Sequence, residues 1–113
     1  MKKVEAIIRH FKLDEVTQAL LTLNIPGLSV TEGRGSVNRL AAAEHGGESA
    51  EFLPKIKLEL VVAAEQVRAI VETLQRAART GQAGDGKVLV SDIDQAIRIR
   101  TGESLDSPLA ATA

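Results

Sequence analysis

Polar and apolar positions alternate along Lys2–Arg9, with Val4, Ala6 and Ile8 on one side and Lys3, Glu5 and Ile7 on the other. Period-two alternation predicts a half-buried strand. Residues 12–23 change to a helical period: Val16, Ala19, Leu20 and Leu23 share a face, and Asp14 and Glu15 sit in the first turn, where the helix dipole favours anions. Asn24-Ile25-Pro26-Gly27 predicts the turn that ends this helix. Residues 28–32 predict a second strand. Residues 56–62 predict a third, in which Ile56, Leu58 and Leu60 alternate with Lys57 and Glu59. A second helix is predicted over 66–79 from the stripe Val67, Ile70, Val71, Leu74 and Ala78, and a fourth strand over 87–91. Residues 94–97 predict one helical turn, and 98–100 a last extended piece.

The order βαββαβ predicts an α+β, ferredoxin-like domain, with an antiparallel sheet carrying both helices on one face. Ile7, Leu28, Val30 and the run 58–62 predict apolar side chains on the second face too, which implies burial against another copy of the chain. The 113 residues fit one domain, 1–113. Residues 33–51, between the second and third strands, are longer than a hairpin connection and poor in apolar side chains. They predict a partner-facing loop, and 104–113 a mobile tail.

Composition narrows the function. Aromatic residues make up 2% of the chain, too few for a base-stacking platform, and the formal net charge of −1 implies no general affinity for polyanions, so a nucleic-acid partner is not expected. There is no cysteine, hence no disulfide or thiol chemistry. With no transmembrane span and no secretory signal in view, a cytoplasmic protein without membrane insertion is expected. No Ser-His-Asp set, paired carboxylates or metal-ligand cluster stands out; the only carboxylate beside the glycines described next is Asp85, so an enzyme is not expected.

The chemistry concentrates in Thr80-Gly81-Gln82-Ala83-Gly84-Asp85-Gly86-Lys87. Glycines let the backbone approach a ligand, successive N–H groups form an anion-binding nest, and Lys87 adds a compact cation. Arg98 and Arg100, two apart, leave one face of an extended segment. Glycines and fixed cations together suggest a polyphosphate ligand. Asp-Gly is equally a favoured hairpin pair, and the residues alone leave that reading open.

Several runs, in this order and spacing, resemble the PII signal-transduction family: residues 1–9 with 11–16, 27–32, 52–59 (Phe-Leu-Pro-Lys-Ile-Lys-Leu-Glu), 77–87 and 97–103 (Ile-Arg-Ile-Arg-Thr-Gly-Glu). The resemblance implies a homotrimer that binds ATP or ADP, and AMP as a further candidate, in clefts between neighbouring subunits. It implies regulation of a transporter or metabolic enzyme through the loop 33–51, the T-loop of such proteins. It places phosphate contacts at Gly84, Asp85, Gly86, Lys87 and Lys55, with Arg98 and Arg100 reaching over from the adjacent subunit. It places adenine recognition near Thr31 or Ser29, Glu59 and Val61, and loop-base contacts at Gly35 and Arg39.

The loop departs from the family pattern. Gly35-Ser36-Val37-Asn38-Arg39 stands where Gly-Phe-Gly-Arg-Gln is usual, and the chain has no tyrosine. A guanidinium has no acceptor for Mg²⁺, so Arg39 argues against the usual Mg-ATP and 2-oxoglutarate sensing and leaves the place of Mg²⁺ open. Tyrosine uridylylation is excluded. A divergent regulator of bicarbonate or carbon uptake, or of metal efflux, is the alternative.

Overall fold

The computed structural model describes residues 1–25, 27–36 and 52–108. Strand β1 (Lys2–Arg9) leads through a 3-10 turn (His10–Lys12) into helix α1 (Leu13–Leu21). Strands β2 (Ser29–Ser36) and β3 (Phe52–Val62) follow, then a 3-10 turn (Ala64–Gln66), helix α2 (Val67–Ala78) and strand β4 (Gly86–Asp92). The sheet order is β2-β3-β1-β4 with every pair antiparallel, which is the ferredoxin-like arrangement.

The alternation in β1 and β3 explains the core. Val4, Ala6 and Ile8 lie opposite Leu60, Leu58 and Ile56, and all six are buried. Val16 and Leu20 of α1, and Ile70, Leu74 and Ala78 of α2, close over them. Leu58 is fully buried between Ala6 on one neighbouring strand and Val30 on the other. Leu58→Ala is therefore expected to lower unfolding free energy by about 2–5 kcal/mol, the range for a leucine truncated in a packed core. Urea unfolding measures it, and a loss below about 1 kcal/mol would contradict this core assignment.

The second face of the sheet is not the apolar surface that the sequence predicts. Val30 lies opposite Leu58 and so belongs to the helix side; Leu28 packs against the core, and Leu60 and Val62 are buried there. What the second face carries is Ile7, Val61 and Leu89 around a charge network. Lys3 meets Glu5 at 2.9 Å and Glu59 at 3.7 Å, and Lys57 meets Glu59 at 3.2 Å and Glu5 at 3.4 Å. Lys57 is held above the usual lysine range by its bond to Glu59 and by the Glu5 charge, and Glu5 is held below the usual carboxylate range chiefly by Lys3.

Three boundaries differ from expectation. The strands continue into the expected loop: Gly33 to Ser36 pair with Lys55 to Phe52, so 33–36 belong to β2. Gly33-Arg34-Gly35-Ser36 carries no alternating apolar pattern, so hydrophobic periodicity does not reveal this extension. The remainder of the loop, 37–51, lies outside the described residues. The helical turn expected over 94–97 is absent, and 98–100 is not extended. Instead Ile97 bridges Ser104, Arg98 N–H donates to the Glu103 carbonyl at 2.9 Å, and Gly102 N–H donates to the Arg98 carbonyl at 2.8 Å, which makes a tight hairpin. Gly102, at φ 74°, supplies the left-handed residue of that turn. The expected tail begins tied down: Leu105 N–H donates to the Ala96 carbonyl at 2.8 Å, while 109–113 lie outside the described residues.

Candidate functional site

Helix α2 ends where Arg79 turns extended (ψ 132°), and residues 80–86 return the chain to the sheet as β4. The return is built around the Asp85 carboxylate. Its Oδ2 accepts the Thr80 and Gly81 N–H groups, each at 2.9 Å, and its Oδ1 accepts the Thr80 hydroxyl and, at 2.9 Å, the Arg9 Nε–H. Partial burial pushes this carboxyl up, but the Thr80 hydroxyl, Arg9 and the two backbone donors outweigh it and hold it well below the usual carboxylate range.

Two cations from the sheet hold the turn from beneath. Arg9 and Lys55 are register partners at the ends of β1 and β3. The Arg9 Nη2 donates to the Ala83 carbonyl at 2.6 Å, and the Lys55 ammonium donates to the Gly84 carbonyl. Lys55 is a buried lysine, 8% exposed. Burial and the Arg9 charge pull its pKa down, with Asp85 opposing. Gly84 and Gly86 have φ of 96° and 101°.

The structure thus brings together Lys55, Gly84, Asp85 and Gly86, with Lys87 next along β4, exposed and opposite Ile7. A crevice of about 380 Å³ between α2 and β4 opens beside them, with Leu74, Gln75, Arg79, Gly86 and Lys87 on its walls. Both side-chain oxygens of Asp85 are occupied, by donors of the turn and by Arg9, so its carboxylate shapes the loop.

The other expected residues lie elsewhere. Thr31, Lys57, Ile7 and Lys87 form one rung across the sheet, so Thr31 and Lys87 stand on opposite edges, about 14 Å apart at the usual strand spacing. Glu59 and Val61 follow on the second face of β3, and Ser29 is the register partner of Glu59. Gly35 pairs with Leu53 on the β2–β3 extension; Arg39 lies outside the described residues. Arg98 and Arg100 are not side by side on a strand. Arg98 pairs with Glu103 at 3.0 Å and is half-buried, whereas Arg100 is exposed on the hairpin. The Arg98 Nε is shielded from solvent and has no acceptor among the described residues. Sequence reading missed Arg9. A charged residue closing an alternating strand reads as solvated, and its signal is the carboxylate of Asp85, far away in sequence.

Comparison with known proteins shows the family of the chain. The family model for nitrogen regulatory protein P-II matches residues 1–103. The nitrogen regulatory protein P-II of Bradyrhizobium diazoefficiens is 50% identical over 107 residues, covering 92% of this chain and 96% of the relative. That of a Synechocystis species is 52% identical over 106 residues, covering 91% and 95%, and that of Rhizobium meliloti 48% identical over 107 residues, covering 92% and 96%. The chain belongs to the nitrogen regulatory protein P-II family, whose members are signalling regulators and not enzymes.

Proposed function

We propose that the chain works as a homotrimer whose intersubunit clefts bind ATP or ADP, and that the bound nucleotide sets how the loop 33–51 engages a transporter or metabolic enzyme in the cytoplasm. The observation that carries this reading is the braced turn 80–86, which sets backbone N–H groups, Lys55 and Lys87 at one end of the sheet. The split of the remaining residues supports a cleft between copies. Thr31 and Lys87 stand on opposite edges of the sheet, and the β4 edge of one copy set against the β2–β3 side of the next would bring the two sets together. The orphaned Arg98 Nε–H is a donor suited to an anion. Regulation then follows from population shift: a nucleotide that binds loop conformers unequally changes their affinity for a partner.

Titration calorimetry with ATP, ADP and AMP, with and without Mg²⁺, tests the reading. Lys87→Ala and Arg100→Ala are each expected to weaken binding by about 1–3 kcal/mol, or about 5- to 150-fold, the loss of a charge-assisted hydrogen bond. Unchanged affinity in both variants overturns the cleft assignment. Repeating the titration with 2-oxoglutarate and with bicarbonate addresses Arg39: synergy with bicarbonate alone favours a regulator of carbon uptake, and synergy with 2-oxoglutarate favours nitrogen sensing.

A further inference from the structure

We propose that Arg9 is a positioning residue for nucleotide binding: from the sheet it sets the peptide planes of the turn 80–86 so that their N–H groups face a phosphate. The proposal rests on the nucleotide reading above. The Arg9 guanidinium uses its fork on two acceptors of the turn, Asp85 Oδ1 at 2.9 Å and the Ala83 carbonyl at 2.6 Å. Its strand partner Lys55 takes the next carbonyl, that of Gly84. In a trans peptide the C=O of one residue and the N–H of the next point in opposite directions. Drawing the Ala83 and Gly84 carbonyls toward the sheet cations therefore aims the Gly84 and Asp85 N–H groups away from the sheet, as an anion-binding nest requires.

The bonds Asp85 makes to Thr80 and Gly81 are local and close the turn on itself. Arg9 is different in kind, because it fixes the closed turn to β1. Its side chain is 18% exposed and lies over the Phe11 ring, 5.9 Å from the centroid, which limits where the fork can point. With its donors directed at the turn, Arg9 acts on a nucleotide through the loop and not by contact.

Arg9→Lys separates this role from simple charge attraction, since lysine keeps the charge and the stem but has no fork to span two acceptors. ADP affinity of Arg9→Lys is expected to fall about 5- to 50-fold, as one or two charge-assisted bonds are lost. In the ligand-free variant, the backbone amide NMR signals of Gly84 and Asp85 are expected to move, while signals of α1 stay in place. Asp85→Asn, which keeps the side-chain size, is expected to shift the same amides, and combining it with Arg9→Lys to add little further loss. Wild-type affinity with unmoved amide signals in Arg9→Lys overturns the proposal, as does full additivity in the double variant. A wild-type protein that binds no adenine nucleotide overturns the nucleotide reading itself and this proposal with it, and that outcome is visible before any variant is made.

Discussion

Gly86→Ala is expected to lower unfolding free energy by about 4 kcal/mol or more. Gly86 has φ 101°, a region that L side chains rarely adopt. A Cβ there would also stand 1.6 Å from the Ile7 carbonyl oxygen and 2.7 Å from its carbon. Both are backbone atoms of β1, so no rotamer change relieves the overlap. Either the first rung of the β1–β4 ladder opens, or the turn and Lys87 shift outward. Two other glycines supply controls. Gly81 has φ 89° but open space around it, so Gly81→Ala is expected to bear the conformational strain alone, about 1–2 kcal/mol. Gly33 lies in β2 with no positive φ and nothing near its would-be Cβ, so alanine there is expected to be neutral or to stabilise by up to about 1 kcal/mol. Urea unfolding of the three variants measures the series. A Gly86→Ala protein within about 1 kcal/mol of wild type would mean that the turn is not seated against β1 as described.

The series also marks how far the sequence could be read. The alternation of Lys2–Arg9 and the stripes of both helices encode burial directly, so the element order, the buried face and the helix positions follow from pattern alone. The strand extension that pairs 33–36 with 52–55 has no alternating apolar pattern to announce it, and Gly33-Arg34-Gly35 has the composition of a loop. Val30 misleads for a related reason: it lies on the helix side of an edge strand and stays 46% exposed, so its place in the pattern does not say which face it joins. The segment Ile97-Arg98-Ile99-Arg100 alternates like a strand, yet Ile99 is completely exposed at a turn. Its better signal is Thr101-Gly102, where glycine permits the positive φ that closes the hairpin. In the candidate site, the glycines and Lys87 were legible as residue types. The partnership of Arg9 with Asp85 was not, because it joins positions 76 residues apart through the order of strands in the sheet.

Asp85 carries the second large expectation. Asp85→Ala removes the acceptor of four donors at once: two backbone N–H groups, the Thr80 hydroxyl and the Arg9 Nε–H. Removing one partner of a fully buried ion pair costs about 3–5 kcal/mol, and with side chains 25% and 18% exposed the loss here is expected to be about 2–4 kcal/mol. Asp85→Asn isolates the charge. One end of the amide still accepts, but the other sets its own N–H groups against donors, so a smaller loss is expected. Because the folded state holds the Asp85 carboxyl below its ordinary value of 3.8, its stabilising contribution is fully present above that value and is lost as pH falls through the lower, folded one. The stability gap between wild type and Asp85→Asn is therefore expected to be constant above about pH 5 and to narrow on acidification below it. Taking the difference between the two proteins cancels the other carboxylates, which titrate in both. A gap that stayed the same down to the acid unfolding limit would show that the Asp85 charge contributes nothing to the turn, and the turn would then owe its shape to its glycines.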